Sequence, residues 1–212
     1  LDAQANQRAE LSTGTYATAT ISEVAHDITP APESTGSGYS RAFGNALHAL
    51  LEQVVMRRRT PPTYTDPDLH RLLRQHDPDN NAPSPDRVAL LRAMLTRFQE
   101  SPLWTTLTDE ADVVYTEFPL SRLLNASDTP TVQQGTIDLV YRQGEAWHLV
   151  DYKSDRVADA AHLQTLTDAY APQVRLYATA WAEATNGSRP IPHLWFADAD
   201  PAKGTEAFCE VK

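Results

Sequence analysis

The sequence predicts an α/β fold, a mixed central sheet flanked by helices, and three features predict it. Apolar residues recur at helical spacing over 40–58 and, with interruptions, over 66–108. Residues 137–153 alternate with the period of a strand on both sides of Gly144-Glu145. A third helical stretch over 171–184 precedes strand-like runs at 193–197 and 208–211. Helices, strand, hairpin, helix and strand in that order describe an α/β sandwich. The 212 residues suffice for one domain with its own core, and no repeat or low-complexity linker divides them.

Residues 1–39 are polar, with Pro30, Pro32, Gly36 and Gly38, and read as a partly looped segment in which 17–24 is a strand or a helical turn. The helix over 40–58 carries Phe43, Leu47, Leu50, Leu51 and Val54 on one face, and Pro61-Pro62 ends it. A short helix fills 66–76. Ser84 caps the next, with Pro85 in its first turn and Val88, Leu91, Leu95 and Phe98 facing inward, as far as Ser101-Pro102. A strand is expected over 112–118 and a polar connection over 121–134. The helix over 171–184 takes Pro172 in its first turn and stops at Gly187. Residues 156–170 read as a separate short helix or a loop. The strand at 193–197 has a candidate partner at 208–211.

The hairpin carries the chemistry. Gly144-Glu145 fits a two-residue turn with Gly at the first central position, as type II′ requires. Position 143 then pairs with 146, and Asp138 falls opposite Asp151, their Cβ atoms about 5 Å apart. Lys153 lies two residues further along the same face. Two carboxylates so placed repel each other and call for a cation, for which a divalent metal is the obvious candidate. On the helix over 40–58, Gly44, His48 and Glu52 share a face. Gly44 leaves room for a close approach, and His48 projects toward whatever that face covers. If it covers the hairpin, a His–Asp–Asp set is complete, with donors suited to Mn²⁺ or Mg²⁺. Glu52 ranks below His48 as a ligand.

Composition narrows the function. Net charge is −10, awkward for a nucleic-acid protein unless local patches act, and the densest basic patch is Arg57-Arg58-Arg59. The only lysines are Lys153, Lys203 and Lys212, so the body of an arginine-using chain places one compact ammonium beside Asp151. A single cysteine, Cys209, excludes an internal disulfide and a Cys-rich metal site and points to a reducing compartment, the cytoplasm. No apolar run is long enough to span a membrane. No signal pattern opens the chain, and the missing initiating Met suggests a piece of a longer polypeptide.

Four motifs occur in order: G-x-x-x-H at Gly44–His48, G-x-I-D-L-V at 135–140, V-D-Y-K-S-D at 150–155 and Y-x-x-Q-x-x-x-Y at 170–177. Together they resemble the PD-(D/E)xK nuclease superfamily, and most closely the C-terminal nuclease domain of RecB and AddA type helicase–nucleases. The resemblance covers roughly 17–212 and includes Glu117-Phe118-Pro119 before the hairpin. It implies a restriction-endonuclease-like core over 40–212, one nuclease domain of a longer helicase–nuclease. It also implies metal-dependent hydrolysis of DNA, single-stranded in such complexes, as exonuclease or endonuclease in double-strand-break repair. His48, Asp138, Asp151 and the backbone carbonyl of Tyr152 correspond to ligands of Mg²⁺, with Mn²⁺ able to substitute. Lys153 corresponds to the catalytic lysine, while Gln173, Tyr177 and Tyr170 correspond to substrate-positioning residues. The implied partners are DNA, a helicase motor in the same longer chain and a partner subunit. No Walker A motif occurs, so this chain carries no motor of its own.

Plainer readings stand beside these. Asp138 could face solvent and Asp151–Lys153 could be a surface ion pair, which explains one hairpin face but neither helix motif. His26, His70, His76, His148, His162 and His193 read as ordinary, Arg57–Arg59 as a helix end that offsets the dipole, and Glu117 as structural or supporting. Tyr170 and Tyr177 could equally pack on the sheet. The rival function is an inactive nuclease-like module for DNA binding or subunit docking. An unrelated α/β interaction domain would bind no metal.

Overall fold

One long strand organises the sheet in the computed structural model, which describes residues 17–28, 39–77, 83–124 and 130–212. That strand, β3 (Thr131–Gln143), pairs antiparallel with β2 (Val113–Leu124) from one end to the other. Its opposite edge is shared. There β1 (Ala17–Thr20) pairs in parallel with residues 131–134, and β4 (Ala146–Lys153) pairs antiparallel with residues 139–143. Residues 135–138 lie between these two partners. β5 (Ile191–Phe196) extends the sheet parallel to β4, and β6 (Phe208–Glu210) closes it antiparallel to β5. The β4–β5 crossover is α6 (Ala160–Thr185), preceded in the chain by α1 (Ile21–Ile28), α2 (Arg41–Met56), α3 (Asp66–His76), α4 (Pro85–Gln99) and α5 (Pro102–Thr105).

Side-chain alternation splits the core into two layers. Leu139, Tyr141, Val150, Tyr152 and Trp195 pack against α2 to α5. Val140, Leu149, Leu194 and Phe196 pack against α6, joined by Ile21 of α1. The alternation breaks once. Ile137 packs on the α6 side, yet Leu139, two residues on, packs on the other. The break falls at Asp138, and the residue across from it on β2, Glu117, has φ +47° and drops out of an otherwise constant register. A non-glycine residue held there costs roughly 1–3 kcal/mol, and such residues concentrate at functional sites.

The helix starts are capped, at Ser84 as the sequence suggests and at four other positions. Ser40, Thr65, Ser84, Ser101 and Asp159 each accept the backbone N–H of the third residue on, each contact worth about 1 kcal/mol. Of the arginine run, Arg58 donates to the Leu107 carbonyl at 3.0 Å and Arg59 to that of Thr108, tying the end of α2 to a wider π-type turn at Thr106–Glu110.

Two local expectations differ from the structure. The helix expected over 171–184 is one helix of 26 residues, with Pro172 in its interior and Tyr170 well inside it. The missing proline N–H is tolerated because Leu163, Leu166, Ala171 and Val174 bury the helix on both sides of Pro172. It stops at Asn186, whose φ of +49° supplies the left-handed residue one position before Gly187. The polar connection expected over 121–134 is largely strand, Leu124 pairing with Thr131. Two of its polar side chains pair inside the sheet: Arg122 Nε donates to the buried Gln133 Oε1 at 2.6 Å. Residues 17–24, left between strand and helix, form β1 and the start of α1. Residues 1–16 and 29–38, expected as loop, lie outside the described residues. No helix among the described residues is long and apolar enough to cross a membrane.

Gly135 lies under α6, where a Cβ would come within 2.7 Å of Tyr177 Cε1 and 3.1 Å of Ile21 Cδ1. Both neighbours are buried, so neither can swing away. Gly135→Ala is expected to lower unfolding free energy by about 1–3 kcal/mol in urea titration, and an unchanged midpoint would show that the packing is looser than described.

Candidate active site

The hairpin has the expected register. Gln143 pairs with Ala146, Gly144 has φ +58°, and the ladder runs back to Leu139 opposite Val150. The next step would pair Asp138 with Asp151, but there the strands part and a side chain replaces the backbone partner. Tyr152 donates its N–H to Asp138 Oδ2 at 2.6 Å. Asp138 Oδ1 lies 3.3 Å from His48 Nδ1. Both carboxylates are buried, Asp138 at 8% exposure and Asp151 at 4%.

His48 reaches this point because α2 lies close to the loop after β4. At Gly44, one turn earlier, a Cβ would stand 3.0 Å from Ser154 Oγ, so glycine permits the approach. The His48 ring also meets the edge of Tyr152, centroids 5.8 Å apart. Glu117 enters from β2. Its carboxylate, His48 and Asp138 offer ligand atoms that all lie within 4.8 Å of one another. The strained backbone at Glu117 and the break in alternation at Asp138 therefore occur in the two carboxylates of this group.

Asp151 lies beside this group, near enough for its charge to act on Asp138 and His48. Its Oδ2 lies 2.7 Å from Lys153 Nζ, a close ion pair without hydrogen-bond alignment. Lys153 Nζ donates to Gln173 Oε1 at 2.9 Å, and Gln173 Nε2 donates to Ser22 Oγ at 3.1 Å. Tyr170 presents its ring to the same ammonium, and Tyr177 is buried against Gly135. Gln173 and Tyr170 thus hold Lys153, while Tyr177 packs where the expected helix face meets the sheet.

The charges explain the titration of the group. Burial pulls the His48 imidazole down, but the charge and hydrogen bond of Asp138, helped by Asp151, outweigh it and raise His48 to about 9. Asp151 is pushed up by burial and by Asp138, against the pull of Lys153 and His48. Glu117 rises through burial and the charge of Asp138. One imidazole nitrogen and two carboxylates in mutual reach, with a third carboxylate beside them, are a donor set that fits a divalent cation.

The model of the PD-(D/E)XK nuclease superfamily matches residues 23–211. The chain belongs to that superfamily. Its mixed sheet between helical layers agrees with the restriction-endonuclease-like fold expected of a member. It is similar to an ATP-dependent helicase/nuclease subunit from Listeria monocytogenes serotype 4a (strain HCC23), with 27% identity over 169 residues, 74% of this chain and 13% of that protein. The protein of the same name in Heliobacterium modesticaldum (strain ATCC 51547 / Ice1) is 35% identical over 104 residues, 43% of this chain and 7% of that protein. The chain thus matches only a small part of the length of these relatives. The crystal structure of SSO0001 covers 81% of this chain and 75% of its own at 14% identity and a TM-score of 0.32, too low a likeness to carry an argument.

Glu117 is the member of this donor group that sequence reasoning undervalued. The signal was its place in Glu117-Phe118-Pro119 just before the hairpin, a charged residue inside a strand. Of the histidines read as ordinary, His148 and His193 pair with each other, Nδ1 to Nε2 at 3.0 Å.

With His48 raised to about 9, the metal-free imidazole is protonated at pH 7.5, and a metal ligand must give that proton up. Mn²⁺ binding at pH 7.5 is expected to release close to one proton per ion, read from buffer-dependent calorimetric enthalpies, and to tighten as pH rises toward 9. Without metal the sign is opposite: the raised pKa stabilises the fold fully below about pH 6.5, and that contribution is lost as pH passes through 9. Glu117→Ala should weaken Mn²⁺ binding; an unchanged Kd would remove Glu117 from the donor set.

Proposed function

We propose that this chain is a divalent-metal-dependent deoxyribonuclease that hydrolyses phosphodiester bonds of single-stranded DNA. The observation that carries the proposal is the donor group of His48, Glu117 and Asp138 with Asp151 and Lys153 beside it. Mg²⁺ is the working ion in this reading and Mn²⁺ substitutes for it. His48, Glu117, Asp138, Asp151 and the Tyr152 carbonyl would hold it. When bound, such an ion supplies a Lewis acid for phosphate oxygens and makes an attacking water more acidic.

The chain's own residues do the rest. Tyr152 N–H fixes the Asp138 carboxylate, leaving Oδ1 toward His48. Lys153, partly buried, offers a positive charge to the oxygens that gain negative charge during hydrolysis, or orients the attacking water. Gln173 keeps that ammonium from swinging into solvent. A preformed arrangement of this kind spares reorganisation at the moment of reaction.

The wider setting belongs to the proposal as well. The similarity to proteins named as ATP-dependent helicase/nuclease subunits, of which this chain spans a small part, supports a nuclease unit within a longer RecB/AddA-type polypeptide that processes double-strand breaks. That unit takes in residues 40–212 together with 17–28, which supply β1 and α1. A net charge of −10 disfavours free capture of DNA and favours a strand delivered by a motor or by a partner subunit. We place the activity in the cytoplasm, where Cys209 stays reduced.

The purified chain should cut labelled single-stranded DNA with Mn²⁺ or Mg²⁺ and not with EDTA, and Asp151→Ala should lose the cutting. Lys153→Ala should lose it while still binding Mn²⁺ in calorimetry. Normal cutting by Lys153→Ala would remove the role given to that lysine. Neither cutting nor metal binding in the wild-type chain would favour a docking module.

A further inference from the structure

Lys153 is held from three directions. Its Nζ lies 2.7 Å from Asp151 Oδ2, 2.9 Å from Gln173 Oε1 and 4.1 Å from the centre of the Tyr170 ring. The ring is itself fixed. The Tyr170 hydroxyl lies 3.1 Å from each carboxylate oxygen of Asp155, in the loop that follows β4. Burial and Asp155 together hold that hydroxyl well above the usual phenol range, so it remains a donor. The loop is anchored in turn: Val157 N–H donates to Asp198 Oδ2 at 2.9 Å, and Asp198 Oδ1 accepts from the Tyr39 hydroxyl at 2.9 Å.

We propose that Tyr170 and Asp155 are positioning residues for Lys153: Asp155 sets the tilt of the Tyr170 ring, and the ring face holds the ammonium where the phosphate reacts. The assignment rests on the nuclease reading for what Lys153 does there. A lysine ammonium is a compact charge on a flexible stem with three donors. Oxygen acceptors alone would fix it by consuming those donors, and Asp151 would become its main partner. An aromatic face attracts the cation through the ring quadrupole and presents no lone pair. It therefore fixes the position of Nζ while leaving an N–H free for a phosphate oxygen. The Asp155 hydrogen bond keeps the ring from rotating away, which makes Asp155 part of the arrangement without touching Lys153. Tyr170 then acts on the lysine and not on the substrate.

The experiment combines kinetics with lysine-labelled NMR, which is simple in a chain whose only lysines are Lys153, Lys203 and Lys212. In the wild-type chain the Lys153 side-chain protons should be shifted upfield by the Tyr170 ring. That shift should survive partly in Tyr170→Phe, which keeps the ring and loses its anchor, and vanish in Tyr170→Leu. In metal-dependent cleavage, Tyr170→Leu should lower kcat about tenfold, with KM changed less than about threefold. Tyr170→Phe and Asp155→Ala should show equal, smaller losses, and the double variant should be no worse than either, because both break one contact. Asp155→Asn, which still accepts the hydroxyl, should recover most of the Asp155→Ala loss. A rise in KM at unchanged kcat for Tyr170→Leu would overturn the proposal in favour of substrate contact. So would additive losses in the double variant, or a wild-type Lys153 signal with no ring shift. A wild-type chain that shows the ring shift but neither binds Mn²⁺ nor cuts DNA would sink the nuclease reading and with it the catalytic purpose of the positioning. The missing activity, and not the missing shift, would identify which had failed.

Discussion

Three carboxylates converge on one half-buried corner, and their repulsion is the constraint around which this fold is arranged. Asp138 is tolerated because a backbone N–H and an imidazolium flank it. Asp151 is tolerated because Lys153 sits against it. Glu117 has no such partner among the described residues, its proton affinity is raised, and its backbone is strained. A site that must raise the pKa of its own acids and protonate its histidine is unfinished electrostatically. A divalent cation would replace the His48 proton and offset the mutual repulsion of the three carboxylates.

The topology follows from that constraint. β3 is long enough to carry two partners on one edge, and the site sits where β4 leaves that edge. A continuous ladder would spend the Tyr152 N–H on β3 backbone; the fork frees it for Asp138. Gly44 lets the helix bearing His48 approach the same point, and α6 on the other face brings Gln173 and Tyr170 to Lys153. The side chains of the site thus come from five elements, β2, β3, β4, α2 and α6, with a rigid core behind them.

Local signals made much of this legible in the sequence. The Gly144-Glu145 turn fixed the hairpin register, because the side-chain period of two leaves no freedom once the turn is set. Ser40, Ser84 and the apolar stripe through Phe43, Leu47 and Leu50 located two helices. The failures came where tertiary context overrides local preference. Pro172 reads as a helix start, yet packing on both sides carries the helix through it. Arg122, Gln133 and their polar neighbours read as a connection, yet pair within the sheet. Glu117 could be noticed as a charged residue in a strand, but its nearness to His48 depends on a positive φ that its residue type gives no reason to expect.

The most direct measurement of the central claim is anomalous X-ray scattering from crystals of this chain grown with Mn²⁺. A cation held by this group gives one strong peak within coordination distance of His48, Glu117 and Asp138, with the His48 Nδ1 to Asp138 Oδ1 contact opened to admit the ion. Saturating Mn²⁺ with that contact intact at 3.3 Å and no peak at the fork of β3 and β4 would contradict the claim. The cluster would then be a self-neutralised part of the fold.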